Sequence, residues 1–316
     1  ERRLQLLMKT IALSLGVLGF KAGLFAIATG GSQMVYGPEM GFLSANNSIV
    51  LALAMNVPLL VYVLNREQHK YLQWVIRGMI VLSYPAVVCT FSRGAWIGLA
   101  AATALLVLKG KRKVMMVTVL SLVALLAVPY LPDRVNNRYD DLRNYQEENS
   151  AQSRLWNWEF CQRVGLANPL HGGGFDFYSL ESYARFYPEF LERWPGKVWS
   201  CHSSWLTILG EHGIPAFLLW IALLISCLLS LRRLGAYGRA HPDQEWVGPF
   251  VSATQIALLT YMIVATFLDA AYFDIFYELI AAVVIAKALV RREAARAAAA
   301  ARAAGLQTQL GYLRAG

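Results

Sequence analysis

Apolar runs long enough to cross a bilayer recur along this chain, and no other feature restricts its fold as severely. A hydrocarbon core of about 30 Å takes about 17–25 mainly apolar residues to cross as a helix. Inside lipid every backbone N–H and C=O must be satisfied within the protein, which leaves only helices and closed barrels. A barrel would show short segments of alternating polarity, and none occur here. The reading is therefore an all-α polytopic membrane protein with about eight spans. These fall near residues 4–29, 48–64, 72–90, 95–108, 114–130, 205–231, 247–268 and 272–290. Composition agrees, since only 16% of residues are charged where soluble domains carry about one quarter.

The net charge of +9 would suggest nucleic acid in a soluble protein. Here the basic residues cluster at span ends, where topology and anionic headgroups account for them, so no nucleic-acid partner is expected. The clusters at 66–70, 109–113, 232–239 and 291–292 lie on alternate loops. The positive-inside bias makes that face cytoplasmic. The polar loops at 30–47, 91–94, 131–204 and 269–274 then share the outer face.

Four regions follow. Residues 1–130 hold five spans, 131–204 form one large outer loop, 205–290 hold three more spans, and 291–316 are a cytoplasmic tail rich in Ala and Arg. The tail should be helical, because Ala is the best helix former, and should lie along the inner leaflet. The chain starts at Glu1 rather than Met, so it reads as part of a longer protein with further N-terminal spans.

In the outer loop, Leu155, Trp158, Cys161 and Gly165 recur at helical spacing after Arg154, predicting a short amphipathic helix. Asn168-Pro169 and Gly172-Gly173-Gly174 break it. The stretch 175–199 is rich in Tyr, Phe and Trp, residues that favour the headgroup layer. It is expected to lie on the bilayer instead of forming a separate soluble domain.

Four residues could carry chemistry. Arg93 stands just past the third span, on the face where the charge bias allows few cations. It is either a snorkelling arginine or a bidentate partner for phosphate oxygens. Arg154 either pairs with Asp140, Asp141, Glu147 or Glu148 or faces the same anion. Lys21 lies deep in the first span, where an ionisable group is costly and usually meets a cavity or ligand; snorkelling is its alternative. His202, before Ser203-Ser204, is either a helix-cap residue or a general base. Nearby arginines would lower its pKa and leave the imidazole neutral. His171 and His212 are weaker candidates, and Glu211 falls on the opposite helix face from His202. A metal site would have to draw on His171, His202, Asp269, Asp274 or Glu278, but no pair has compact ligand spacing, so no metal is expected. Cys161 and Cys201 share the outer loop. A disulfide would tie the Arg154 helix to His202, but spacing alone does not establish proximity.

Taken in order, Ser92-Arg93-Gly94, Arg154, Asn168-Pro169-Leu170, Gly172-Gly173-Gly174-Phe175, His202-Ser203-Ser204-Trp205-Leu206 and Glu211-His212-Gly213-Ile214-Pro215 resemble the O-antigen ligase/polymerase family. That family includes lipopolysaccharide O-antigen ligases, O-antigen polymerases and bacterial protein O-oligosaccharyltransferases. Ser14-Leu15-Gly16, Lys21-Ala22-Gly23 and Thr29-Gly30-Gly31 look more narrowly like the O-glycosylation ligases associated with the exosortase A system. The chain departs from the family pattern at Ser203, usually Asn, and at Ala216, often Gly.

The resemblance implies a GT-C-type glycosyltransferase of the bacterial inner membrane, its active site facing the periplasm. Its donor would be an undecaprenyl-pyrophosphate-linked glycan, its acceptor a glycolipid, a protein or a polysaccharide, and no cofactor would be needed. His202 would be the catalytic base, with Arg93, Arg154 and Lys21 holding the donor pyrophosphate. Two rivals stay open. One is a polymerase that uses a second lipid-linked glycan as acceptor. The other is a lipid-glycan transporter, against which the chain shows no internal repeat and only Glu211 as an acid well inside a span boundary.

Overall fold

The structure, a computed structural model, describes residues 1–110 and 149–315. Within them it is all-helical, without strands. The helices are α1 (Arg2–Ala28), α2 (Asn46–Arg66), α3 (Lys70–Val88), α4 (Arg93–Lys109), α5 (Asn149–Ala167), α6 (Leu180–Phe186), α7 (Pro188–Arg193), α8 (Ser204–Ala240), α9 (Val247–Ala265) and α10 (Asp274–Ala315). Five of them, α1, α2, α3, α8 and α9, are long and apolar enough to cross a membrane. The expected fourth span is a shorter apolar helix, Gly94–Lys109. The last is the first half of α10, which carries Asp274, Glu278 and Lys287 and is not among the five. The fifth, at 114–130, lies outside the described residues.

Helix α2 is the centre of the bundle. From Ile49 to Leu60 every residue on it is buried, and the stretch is apolar all round, as an enclosed helix is, but for Asn56, whose amide donates to the Ala12 carbonyl at 3.0 Å. Helix α1 instead buries a single stripe, Leu4, Met8, Ala12, Leu15, Gly19, Gly23 and Ala26, at the three- and four-residue steps of one helical face. Its glycines explain how closely it approaches α3. A Cβ on Gly23 would lie 2.1 Å from the Leu82 carbonyl oxygen, and one on Gly19 would lie 2.8 Å from Ser83 Oγ. Small residues at such contacts are how helices associate in lipid, where burial from water supplies no drive. Lys9, odd in an apolar run, reaches the α2–α3 loop and pairs with Glu67 at 2.5 Å. The hydrogen bond from that ammonium is the main reason the Glu67 carboxyl is held down to about 2.

The described parts of the loops that the charge bias assigns to one face meet at one end of the bundle. Val35 N–H donates to the Cys89 carbonyl at 3.0 Å and the Asn46 amide to Thr90 at 3.2 Å. Phe42 packs edge-on against Phe273. Above this end sits a cap made of α5–α7 and their connections, with a core of its own around Phe160, Val164, Phe177, Tyr183 and Phe190. Phe160 and Tyr183 stack with centroids 3.7 Å apart. This corrects the reading of 175–199 as aromatic for the sake of the headgroup layer: much of that aromatic surface faces inward, because short helices with few aliphatic residues need large rings to fill a core. The tail is helical as expected, continuing α10 without a break.

Candidate functional site

Two sequence motifs far apart in the chain fit into each other. Helix α8 breaks at Gly213, whose φ of 76° and ψ of −173° are not helical. Two carbonyls lose their helical partners here. That of Glu211 would need an N–H from Pro215, which has none. That of Gly210 loses Ile214, whose N–H turns to the Pro169 carbonyl at 2.8 Å. The glycine turn supplies the replacements: Gly173 N–H donates to Gly210 at 2.7 Å and Gly174 N–H to Glu211 at 2.9 Å. A Cβ on Gly172 would lie 2.4 Å from the Glu211 carbonyl carbon, and one on Gly213 would lie 2.6 Å from the Pro169 oxygen. The Asn-Pro-Leu-His-Gly-Gly-Gly run is thus a backbone clasp on the α8 break. His171 belongs to this clasp, its Nδ1 lying 2.8 Å from the Gly172 carbonyl oxygen.

About two and a half turns before the break, at its first residue, α8 is joined to the segment that follows α9. Ser204 Oγ donates to the Leu268 carbonyl at 2.7 Å and accepts from Ala270 N–H at 2.9 Å, which fixes Asp269 between them. The carboxylate of Asp269 accepts from Ser200 Oγ, from Thr207 Oγ1 at 2.7 Å and from His202 N–H at 3.0 Å. These bonds hold His202 in a left-handed turn with φ of 49°, a conformation uncommon outside glycine but several-fold enriched in His, Asn and Asp. The ring Nδ1 faces Asp269 Oδ2 at 3.7 Å, too long for a hydrogen bond but within range of its charge.

Burial pushes the His202 pKa below its ordinary value, Asp269 opposes that, and the charge of Arg154 adds to it. The expected direction is found, but desolvation is its main cause, with one arginine second. Arg154 therefore lies near enough to His202 for their charges to interact. The disulfide Cys161–Cys201, with its Cα atoms 6.0 Å apart, locks α5 to the residue before His202. Trp158, one turn beyond Arg154 on the same face of α5, packs against Phe267 with centroids 6.2 Å apart. Phe267 also backs the start of α4, where a Cβ on Gly94 would lie 3.3 Å from it. Arg93 begins α4 behind Ser92 as N-cap, so its backbone reaches the same end of the bundle. Lys21 is different. It is exposed on α1, on the face of Val17 and Leu24, and the cavity below does not include it.

Beside Asp269 a cavity of about 260 Å³ opens between the first outer loop, the cap and the α9–α10 connection. Glu211 lies on its wall, only 5% exposed. Tyr272 donates its hydroxyl to Glu211, and His212 Nε2 lies 2.6 Å from that same hydroxyl oxygen. Burial and the Glu211 carboxylate both raise the Tyr272 pKa, so the phenol keeps its proton. Sequence reasoning considered Asp269 only as a metal ligand and set Glu211 aside for facing away from His202. Asp269 is an acid just past a span end and Glu211 an acid within a span, and both needed the α8–α9 contact to acquire meaning. Among the described residues, no three His, Cys, Asp or Glu side chains gather as a metal site requires. The acids at Asp140, Asp141, Glu147 and Glu148, named above as partners for Arg154, lie outside the described residues.

A multi-pass helical membrane protein with a cap at one end of its bundle, bringing a cation and a half-buried histidine together there, is the class that fold and site define. Within it, residues 78–221, just under half the chain, match the family model described as O-Antigen ligase. The match runs from α3 through the cap to the α8 break, so it contains Arg93, Arg154, the glycine clasp and His202. No curated protein matches the chain.

Proposed function

We propose that this protein transfers a glycan from an undecaprenyl-pyrophosphate-linked donor to an acceptor hydroxyl at the periplasmic face of the bacterial inner membrane. We read it as a GT-C-type enzyme with about eight spans in this chain, no metal, and inversion at the sugar. The observation that carries this is the convergence on one turn of a half-buried histidine of lowered pKa, a carboxylate at its Nδ1 and the charge of Arg154, the histidine and the arginine both within the stretch that matches the O-antigen ligase model.

With Nδ1 turned to Asp269, Nε2 of His202 is the nitrogen left for substrate. It takes the proton of the acceptor hydroxyl as the acceptor oxygen bonds to the anomeric carbon. The bond from that carbon to the pyrophosphate oxygen breaks, and undecaprenyl pyrophosphate leaves with the electron pair. Arg93 and Arg154 hold the pyrophosphate and offset the charge it gains. Arginine suits this because it stays charged and matches phosphate oxygens bidentately. Lys21, exposed on α1, would be a third cation reaching the same anion from the lipid side.

The test is transfer from a defined lipid-linked donor in proteoliposomes without an ion gradient, the product read by mass spectrometry. His202→Ala and His202→Asn should both lose about 10²–10⁴-fold in rate while donor binding survives. Asn is the cleaner variant, since it tolerates the left-handed turn but cannot serve as a base. Full turnover by His202→Asn would refute the base assignment. Donor movement without a glycosylated product would favour a transporter. A product lengthened by one repeat on a second lipid-linked glycan would make the enzyme a polymerase.

A further inference from the structure

The cavity beside Asp269 has a chemistry opposite to that of a pyrophosphate site. Its wall carries two carboxylates, Asp269 and Glu211, and no Lys or Arg among the described residues that line it. Glu211 is almost fully buried and keeps Tyr272 as its donor. Tyr178, whose burial and whose neighbour Asp269 raise its pKa, adds a second protonated phenol. Phe42 stands half-exposed at the edge of the space. Carboxylates accept hydrogen bonds from hydroxyls, phenols donate and accept them, and ring faces cover the apolar side of a sugar. At about 260 Å³ the space lies at the small end of ligand pockets, which run about 300–1,000 Å³, so it suits a single ring rather than a chain.

We propose that this cavity is the acceptor subsite, and that Glu211 and Asp269 make it selective for an uncharged, hydroxyl-rich ring while repelling phosphate and carboxylate groups. The proposal rests on the transferase reading above and adds a division of labour. Arg154 attracts the donor anion, and the acidic cavity beside Asp269 keeps that anion out of the acceptor's place. Glu211 is a specificity residue in this scheme, acting on what enters the cavity and not on the proton transferred at His202.

The test reads the cavity without needing turnover. Ser48 lines it from the start of α2. Ser48→Cys, placed in a chain with Cys89 and Cys227 replaced by alanine, is labelled by cationic and anionic methanethiosulfonate reagents of equal size. The cationic reagent should react about tenfold faster or more, relative to a free thiol, because like-charge approach is penalised. Methyl β-glucoside should slow labelling, and glucuronate at the same concentration should not. Glu211→Gln should bring the two reagents' rates together, with Asp269→Asn, which removes the other lining charge, as a second variant should Glu211→Gln fail to fold. Equal labelling rates, or equal protection by glucuronate, would overturn the proposal. In the transfer assay, acceptors differing only in a uronate should be separated by the native enzyme and less so by Glu211→Gln; indifference to the uronate would also overturn it. Protection by the neutral sugar with no transfer at all would support the site and refute the transferase reading.

Discussion

At the scale of the residue, the environment of His202 predicts an unusual pH profile. Burial and Arg154 lower its pKa and Asp269 raises it. A base must be neutral, so activity falls as pH drops through that pKa, and the acid limb should lie below the ordinary histidine value of about 6.5. Arg154→Ala removes a lowering charge and should move the limb up; Asp269→Asn removes a raising charge and should move it down. A pH–rate series for the three proteins checks both signs. Lys9 and Lys21 show how differently two buried-looking cations can be resolved. Lys9 finds a carboxylate in the loop beyond α2, whereas Lys21 stays exposed on the face it shares with Val17 and Leu24. Nothing in the order of residues along α1 distinguishes the two.

At the scale of the element, the clasp on the α8 break depends on particular backbones. Gly213 has both a positive φ and a Pro169 oxygen where a Cβ would go. Gly174 has the positive φ, but its Cβ would meet open space. Gly213→Ala should therefore destabilise by more than the 1–3 kcal/mol or so of a strained backbone alone, and Gly174→Ala by no more than that, as read by thermal unfolding in detergent. The disulfide joins cap to bundle across 40 residues. Replacing both cysteines with serine should cost about 2–4 kcal/mol and depress transfer, because Arg154 would then be free to move relative to His202. The cap helix after Arg154 and the glycine turn were both legible from spacing, although Leu155, read as part of the helix's apolar stripe, is exposed. Their mutual fit was not, since hydrogen bonds between residues 169–174 and 210–214 leave no trace in either stretch read alone.

At the scale of the whole molecule, the charge bias predicts that residues 30–47 and 269–274 face one way and 232–239 the other, and the loops at 30–47 and 269–274 do meet. Single cysteines test the assignment in cells: Ser44→Cys should be labelled by an impermeant reagent from outside, and Asp243→Cys only after the inner membrane is opened. The reverse pattern would invert the topology. The sequence by itself determined that the chain is helical and multi-pass, and its charge bias gave the expectation that the loops carrying Arg93, Arg154 and His202 share a face. Hydrophobicity and charge are local quantities, and the bilayer converts them directly into spans and sides. Only the tertiary structure decided that Asp269 holds the His202 turn, that Cys161 reaches Cys201, that Lys21 is exposed on the outside of α1, and that Glu211 walls a cavity. Those facts depend on where α8 crosses α9 and how the cap settles on both, which is set by side chains meeting across more than sixty residues of chain.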